Sequence, residues 1–267
     1  MHIVECKIRI YELVRGMPVD GNVVKSTGRA FEILELFEEI QEPLTLTDVT
    51  DKLGYPASST LALLKSMSTL GYLAFDRSTK KYVPTIRTAL LGDWVMGKLF
   101  GEVRILQMMQ DLLEKTSETI LLGVQSDLYV QYIHTIQSVL PVRYYVKSGT
   151  LRPLCKSAMG LALLSIKPTS EVQKIVRRLN AEAETPEARI NGVELLALLD
   201  QVRDRGYAFS INVVNRGVGA IAMCLPEPIS GRQLVVGVAG TADRLSENEA
   251  RISAAMRSAM GRFLKAS

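Results

Sequence analysis

Residues 24–85 contain three short helical patterns followed at once by a hairpin with a basic tip. In the first pattern, apolar residues recur near the 3.6-residue period of an α-helix, while the glutamates lie mostly on the opposite face. The residues that this period places inward are Ala30, Phe31, Ile33, Leu34, Phe37 and Ile40. The order of helix, helix, helix and hairpin predicts a winged helix-turn-helix, which makes duplex DNA the leading candidate partner.

The second and third helices carry the signals of a helix-turn-helix. After Pro43 ends the first helix, Thr45 and Asp48 resemble a capping box that begins the second. Gly54 permits a tight turn, and Pro56 restricts the approach to the third helix. The stripe predicted to be buried in the third helix consists of Thr60, Leu63, Leu64 and Met67.

A basic surface is predicted on the docking side of this domain. From Lys65 to Arg87, five basic side chains stand against one acidic side chain, and most lie near the hairpin strands at 72–75 and 81–83. The third helix is short enough for a major groove and presents hydroxyl groups and one lysine outward. The residues predicted to contact DNA are Lys25, Ser26, Arg29, Thr45, Ser58, Ser59, Lys65, Arg77, Lys80 and Lys81. The alternative is a protein-interaction or scaffold module with a solvated basic loop and no ligand control.

Length and composition indicate a soluble protein with two ordinary cores. The chain has 267 residues, of which 47% are hydrophobic, and its first residues carry charges throughout, without the apolar core of a signal peptide. No apolar run approaches the roughly 20 residues needed to cross a bilayer. We therefore expect a cytoplasmic protein. The net charge of +4 permits DNA binding but does not indicate it.

Cysteine and histidine usage argues against metal, cofactor and enzymatic chemistry. Three widely spaced cysteines without a CxxC motif, and only two histidines, favour free thiols over disulfides or zinc. Ser157 lies in KSAMG, which is not a GxSxG nucleophile elbow, and residues 217–219 are a lone GVG without a phosphate-loop context. We predict no catalytic activity, no metal and no cofactor.

Two segments leave alternatives open. Residues 1–22 are a flexible tail, an ordered strand or helix packed on the dimer, or an extended arm with basic side chains near phosphates. Residues 88–115 form a predicted connecting helix with more apolar residues than one face of a lone helix needs, so it packs on a second subunit or within the same chain. The residues concerned are Leu90, Leu91, Trp94, Val95, Leu99, Val103, Leu106 and Met109. A dimer would suit a DNA reader, because two recognition helices give more specificity than one.

From residue 116 onward, strands are combined with helices. Strands are predicted at Thr119–Gln125, Leu128–Thr135, Val142–Val146, Tyr207–Val213, Ala220–Cys224 and Leu234–Ala239. Helices are predicted near Ser170–Asn180, Gly192–Arg205 and Glu247–Leu264, and a loop from Gly149 enters a small apolar helix that runs through Leu164. Strands joined by hairpins and paired with helices indicate an α+β domain with an antiparallel sheet.

Several motifs carry a family resemblance. They are VKSTGRAFEILE, EPLTLTDVTDKLGYPASSTLALLKSMSTLGYL, PVRYYVKSGTLRPLCKSAMGLALLS, and RDRGYAFSINVVNRGVGAIA with VVGVAGTADRL. With them, nearly the whole chain from about residue 23 resembles the IclR family of bacterial transcriptional regulators. The resemblance implies a winged helix-turn-helix, a linker helix, a GAF-like C-terminal domain that binds a small organic acid, and dimers that often pair as tetramers.

The expected domains are an arm at 1–22, a DNA-binding domain at 23–87, a linker for dimerisation at 88–115 and an effector-binding domain at 116–267. The chain departs from the family pattern at Ala62, where members commonly carry a basic residue. This departure shifts the expected contacts onto Ser58, Ser59 and Lys65.

The effector pocket departs further from the family. The matching ligand positions are Ala158, Met159, Ser210, Ala220, Gly237 and Ala239, of which only Ser210 keeps a hydrogen-bonding side chain. The further predicted contacts are Leu154, Ser157, Met223 and either Tyr144 or Tyr145.

Three interpretations of this pocket remain open. Backbone N–H groups at the start of the helix near Ser157 are suited to holding a carboxylate. A larger, more apolar pocket for an aromatic or aliphatic acid is the favoured interpretation, because few polar groups suit a tiny, highly charged acid poorly. In the third interpretation, the small residues only close a core and bind no ligand.

Overall fold

A computed structural model of the chain describes residues 24–92, 103–183 and 185–264. The chain divides into two compact units, with the division between Lys98 and Leu99. The predicted arm at 1–22 lies outside the described residues, and so does the centre of the predicted linker, including Trp94, Val95 and Leu99. Each unit is described by itself below.

The described part of the N-terminal unit combines helices with a small antiparallel sheet. Its elements are α1 (Lys25–Ile40), β1 (Leu44–Thr45), α2 (Leu46–Leu53), α3 (Ala57–Thr69), β2 (Leu73–Asp76) and β3 (Lys81–Pro84). Strand β3 lies between β1 and β2. A further helix begins at residue 86 and is described to residue 92. The predicted winged helix-turn-helix is confirmed.

One residue of the predicted core in α1 faces the solvent instead. Ile33, Leu36 and Phe37 are buried against α2, α3 and the hairpin, whereas Phe31 is 63% exposed. Two residues along a helix correspond to a rotation of about 200°, so Phe31 lies nearly opposite Ile33. The prediction for Phe31 was wrong, and Leu36, which was not predicted to be buried, faces inward instead.

The C-terminal unit is built on a six-stranded antiparallel sheet. Its described elements are α4 (Val103–Thr116), β4 (Thr119–Ser126), β5 (Tyr129–Ile136), β6 (Leu151–Pro153), α5 (Ala158–Ser165), α6 (Thr169–Ala181), a short 3₁₀ helix (Pro186–Ala188), α7 (Gly192–Arg205), β7 (Ala208–Ile211), β8 (Val218–Cys224), β9 (Leu234–Thr241), α8 (Ala242–Glu247) and α9 (Glu249–Phe263). The strand order is β6-β5-β4-β9-β8-β7. The predicted α+β class with an antiparallel sheet is confirmed.

Helices cover both faces of this sheet. In β9, Val236 and Val238 pack on the face covered by α4 and α9, while Val235 and Ala239 pack on the face covered by α5, α6 and α7. The alternation follows the two-residue period of a strand. Because both faces are buried, the strand is apolar along nearly its whole length.

The predicted strand at Val142–Val146 does not form. Its carbonyl groups are instead bonded by side chains: the Thr119 hydroxyl donates to the Tyr144 carbonyl at 2.7 Å, and the Gln137 amide donates to the Val146 carbonyl. The sheet is extended by β6, which lies inside the predicted loop and pairs with β5. An apolar pattern in a short segment does not specify whether a neighbouring strand is available, which is why the prediction was wrong.

The end of the predicted linker packs inside the C-terminal unit. In α4, Ile105, Met108, Met109 and Leu112 are fully buried against the sheet and α9. Met109 is therefore a core residue of its own unit, whereas Leu90 and Leu91 are 59% and 57% exposed. The domain boundaries stay predictions.

Candidate DNA-binding surface and ligand pocket

The capping box predicted for α2 is present. The Thr45 hydroxyl accepts a hydrogen bond from the Asp48 backbone N–H at 3.2 Å, and Asp48 Oδ2 accepts from the Thr45 backbone N–H at 2.8 Å. Hydrogen bonds from Thr45 hold the pKa of Asp48 below its ordinary value. Thr45 thus has a structural role at the start of α2, and its DNA contact stays a prediction.

Helix α3 separates a buried face from an outer face. Thr60, Leu64 and Met67 are buried as predicted, while Leu63 is only partly buried. On the outer face, the predicted contacts Ser58 and Lys65 are exposed.

The hydroxyl groups along α3 are partly used by the helix itself. Ser59 donates to the Pro56 carbonyl at 3.0 Å, and Ser66 donates to the Ala62 carbonyl at 2.9 Å. Ser59 therefore meets a partner mainly as an acceptor. Ser58 and Lys65 are the predicted contacts of this helix that project most freely.

A single carboxylate organises the tip of the wing. Asp76 Oδ1 accepts from the Ser78 backbone N–H and hydroxyl at 2.8 Å and 2.7 Å, and Oδ2 accepts from the Thr79 hydroxyl at 2.8 Å. The bonds from Ser78, and then from Thr79, lower the pKa of Asp76 to about 2. Arg77, Lys80 and Lys81 remain exposed around this turn.

The remaining predicted DNA contacts lie at the start of α1. Lys25 and Ser26 are exposed, whereas Arg29 is partly buried, with its guanidinium 4.6 Å from the centre of the Tyr55 ring. Tyr55 precedes α3, so this contact attaches the start of α1 to the turn of the helix-turn-helix. All the predicted DNA contacts belong to the N-terminal unit.

A small cavity in the C-terminal unit gathers most of the predicted effector contacts. Its volume is about 30 Å³, and it lies where the start of α5 meets β7, β8 and β9. The predicted residues that line it are Ser157, Ala158, Met159, Ser210, Ala220 and Ala239. Tyr144 also lines the cavity, whereas its alternative, Tyr145, is 62% exposed.

Three predicted contacts lie elsewhere. Met223 packs on the opposite face of the sheet because it is three residues from Ala220 on a strand whose side chains alternate. Leu154 is fully buried in the core beside the cavity. Gly237 lies beneath Met159, where a Cβ atom would approach the Met159 sulfur to 3.0 Å. The prediction for Met223 was wrong, and Leu154 and Gly237 support the pocket from behind.

The polar side of the cavity was not predicted from the sequence. Arg152, Tyr132 and Asn215 line it together with Tyr144, so the expectation of few polar groups was wrong. Arg152 Nη2 donates to the Tyr144 hydroxyl at 2.7 Å, and Asn215 Nδ2 donates to the same oxygen at 3.1 Å. In the sequence, the one local sign of this polar side was the charged residue Arg152, which lies immediately before Pro153 and Leu154.

The start of α5 presents backbone donors to the cavity. The Ser157 hydroxyl caps the helix by accepting from the Gly160 N–H at 3.1 Å. The N–H groups of Ala158 and Met159 belong to the first turn, where a helix has no internal acceptors. A carboxylate at this position would meet these N–H groups and the positive end of the helix dipole.

The thiols of this unit are unsuited to nucleophilic chemistry. Burial raises the pKa of Cys155 to about 11 and that of Cys224 to about 12, so both remain protonated near neutral pH. Burial also lowers the pKa of His134. Within the described residues, no group of His, Cys, Asp and Glu side chains is arranged to hold a metal ion.

Both units match models of known domains. The IclR helix-turn-helix domain matches residues 26–77, and the bacterial transcriptional regulator IclR C-terminal domain matches residues 103–262. The chain belongs to the IclR family. Proteins of this family are transcriptional regulators with a DNA-binding domain and an effector-binding domain, so the prediction that the chain is not an enzyme is confirmed. In the described part of this IclR-family chain, no helix has the length and apolar content needed to span a bilayer.

Several regulators share this similarity. The regulator KdgR of Escherichia coli strain K12 is 29% identical over 204 residues, covering 75% of this chain and 76% of that protein. The acetate operon repressor of Salmonella typhimurium strain LT2 is 25% identical over 245 residues, covering 86% and 85%. The transcriptional repressor IclR of Escherichia coli strain K12 has the same identity and coverage.

Solved structures share the fold. An IclR-type transcriptional regulator from Alicyclobacillus acidocaldarius is 22% identical, with a TM-score of 0.68 over 90% of this chain and 98% of that one. The effector domain of a proposed IclR regulator from Acinetobacter sp. ADP1 is 30% identical, with a TM-score of 0.58 over 64% and 99%.

Proposed function

We propose that this chain binds operator DNA as a dimer or a tetramer, and that a small organic acid in the C-terminal unit controls its affinity for DNA. It would act in the cytoplasm, where bacterial chromosomal DNA lies. The observation that carries the proposal is the exposed set of basic side chains on α3 and the wing of a helix-turn-helix. The acetate operon repressor, a relative, is named for control of an operon, which supports an operator as the target.

Lys65 and Lys81 test the DNA interface. Replacing either with Ala should weaken binding to the DNA upstream of the protein's own gene, because each exposed ammonium is proposed to contact a phosphate. The loss of one phosphate contact should reduce the slope of log Kd against log salt concentration by about 0.9. The measurement is fluorescence anisotropy across a salt series, with unlabelled competitor DNA.

Lys174→Ala is the matched control, because Lys174 is an exposed lysine of α6 in the C-terminal unit. It should leave both affinity and slope unchanged. If Lys65→Ala and Lys81→Ala both have the same salt dependence of Kd as the wild-type protein, the assigned phosphate contacts are contradicted. Absence of specific binding by the wild-type protein would favour an interaction module.

Exposed leucines support self-association. Leu90 and Leu91 lie on the helix that begins at residue 86 and are more than half exposed in the single chain. Replacing both with Ser should raise the dimer dissociation constant at least about tenfold, because burying one leucine contributes about 1.5–3 kcal/mol. Sedimentation equilibrium would measure the change. Ile166→Ser, at a 55% exposed site after α5, is the control that should leave assembly intact.

A hydrogen-bonded route supports ligand control. Tyr144 lines the cavity, and its carbonyl accepts from the Thr119 hydroxyl at 2.7 Å. The Thr119 hydroxyl accepts in turn from the Ser138 backbone N–H at 3.2 Å, and the Ser138 hydroxyl donates to the Ser117 carbonyl at 2.5 Å. Ser117 immediately follows α4. A ligand that contacts Tyr144 would therefore act on the end of α4. The ligand can change the DNA affinity by no more than its own preference for one arrangement of α4 over another.

A further inference from the structure

The polar wall of the cavity is rich in donors. Among the described residues that line it, Arg152 is the charged side chain, and no Asp or Glu is among them. Arg152 is only 9% exposed, which places its guanidinium away from bulk water. A cation in such surroundings interacts with an anion more strongly than an exposed one does, because the screening by water is weaker.

Arg152 and Asn215 both donate hydrogen bonds to the Tyr144 hydroxyl. The Tyr144 hydroxyl oxygen accepts from Arg152 Nη2 at 2.7 Å and from Asn215 Nδ2 at 3.1 Å. With both lone pairs used in this way, the hydroxyl has its own hydrogen left to donate. Arg152 Nη1 also donates to the Leu151 carbonyl at 3.3 Å, which orients the guanidinium plane.

We propose that Arg152 recognises the anionic group of the effector, with Tyr144 and Asn215 as additional donors. The inference rests on the proposed ligand control and specifies the chemistry of its ligand. A carboxylate suits this wall because charge-assisted hydrogen bonds from Arg are stronger than bonds between neutral groups. A neutral amide of the same shape would lose that charge and would present its own N–H groups to donors.

The apolar part of the lining favours a ligand with a short apolar body. Met159, Val213 and Val218 line the cavity together with the small residues Ala158, Ala220 and Ala239. Met159 lies against Gly123 and Gly237, where a Cβ atom would approach its side chain to 2.8 Å and 3.0 Å. The cavity of about 30 Å³ holds little more than a water or two, so an acid enters only as the flexible Met159 side chain shifts. A short aliphatic monocarboxylate requires the smallest shift.

The test compares carboxylates with matched amides on the full-length protein. Calorimetric titrations would use propionate and butyrate against propionamide and butyramide, at constant ionic strength. We expect the carboxylates to bind and the amides to bind about 10- to 100-fold more weakly, because a hydrogen bond to a charged group contributes more than one between neutral groups. Arg152→Met, which keeps the length and apolar stem, should weaken carboxylate binding by a similar factor.

Two further variants keep the test decisive if Arg152→Met folds poorly. Arg152→Lys retains the charge without the planar fork and should bind carboxylates with intermediate affinity. Tyr144→Phe removes one donor and leaves the guanidinium, so a smaller loss is expected. Arg178→Met is the control, because Arg178 is exposed in an ion pair with Asp127 and should not affect binding.

The outcomes separate this inference from the proposed function. Equal binding of carboxylates and amides, no carboxylate binding by a well-folded wild-type protein, or unchanged binding by the Arg152 variants would overturn it. Carboxylate binding that needs Arg152 but leaves DNA affinity unaltered would support the anion site and contradict ligand control. Specific DNA binding without any carboxylate binding would contradict the anion site alone.

Discussion

Replacing Gly160 with Ala should destabilise the C-terminal unit by about 3 kcal/mol or more, since overpacking that moves backbone lies at the upper end of such costs. A Cβ atom on Gly160 would overlap the backbone carbonyl of Leu154. No rotation of a side chain relieves this overlap, because the opposing atoms belong to the main chain. Urea denaturation followed by circular dichroism would measure the loss of stability.

The same substitution should also remove effector binding. Gly160 donates its N–H to the cap of α5, and Ser157 to Met159 line the cavity. Moving α5 away from Leu154 would therefore displace the ligand wall. Binding of butyrate, measured at a temperature where the variant is folded, would report this second effect.

Gly261→Ala is the matched control for Gly160. It also lies in a helix, α9, but no atom lies within 4 Å of its added Cβ. Because Ala favours a helix over Gly by about 1 kcal/mol, this variant should be as stable as the wild-type protein or slightly more so. Similar behaviour of the two variants would contradict the close packing of α5 on the Leu154 backbone.

Replacing Leu64 with Ala should destabilise the N-terminal unit by about 2–5 kcal/mol, the usual cost of truncating a buried leucine. Leu64 is fully buried in α3 and packs in the core shared with α1, α2 and the hairpin. The outer residues Ser58 and Lys65 depend on this packing for their orientation. Specific DNA binding should therefore fall steeply at temperatures where the wild-type protein binds.

Leu70→Ala is the matched control for Leu64→Ala, because it removes the same apolar atoms from an exposed site. Leu70 follows α3 directly and is 59% exposed, so its truncation leaves no cavity. We expect nearly wild-type stability and DNA affinity. A comparable loss in both variants, measured by thermal denaturation and anisotropy, would show that the core contact of Leu64 does not decide the stability of this unit.

The helix-turn-helix was predictable because its determinants are local. Thr45 and Asp48 are three residues apart and form the expected capping box, and Gly54 has the positive φ of 67° that a left-handed turn requires. The buried stripe of α3 also followed from helical spacing. Phe31 was wrongly predicted to be buried, because α1 contains more hydrophobic residues than its buried face accommodates.

The pocket was predictable only in part. The small residues on α5, β7, β8 and β9 that line the cavity were predictable from the family motifs. Met223 was misplaced although the strand period alone would have excluded it, since Ala220 and Met223 alternate to opposite faces. Arg152 and Asn215 were missed because neither carries a periodic signal.

By itself, the sequence determined the order and type of the main elements, the basic wing and the family, because these depend on neighbours a few residues apart. Only the tertiary structure decided which polar side chains meet at the cavity. Tyr144 and Asn215 are 71 positions apart and meet through a hydrogen bond. Their meeting depends on strands β4, β9 and β8 pairing in register across the sheet, and such long-range pairing leaves no local pattern to read.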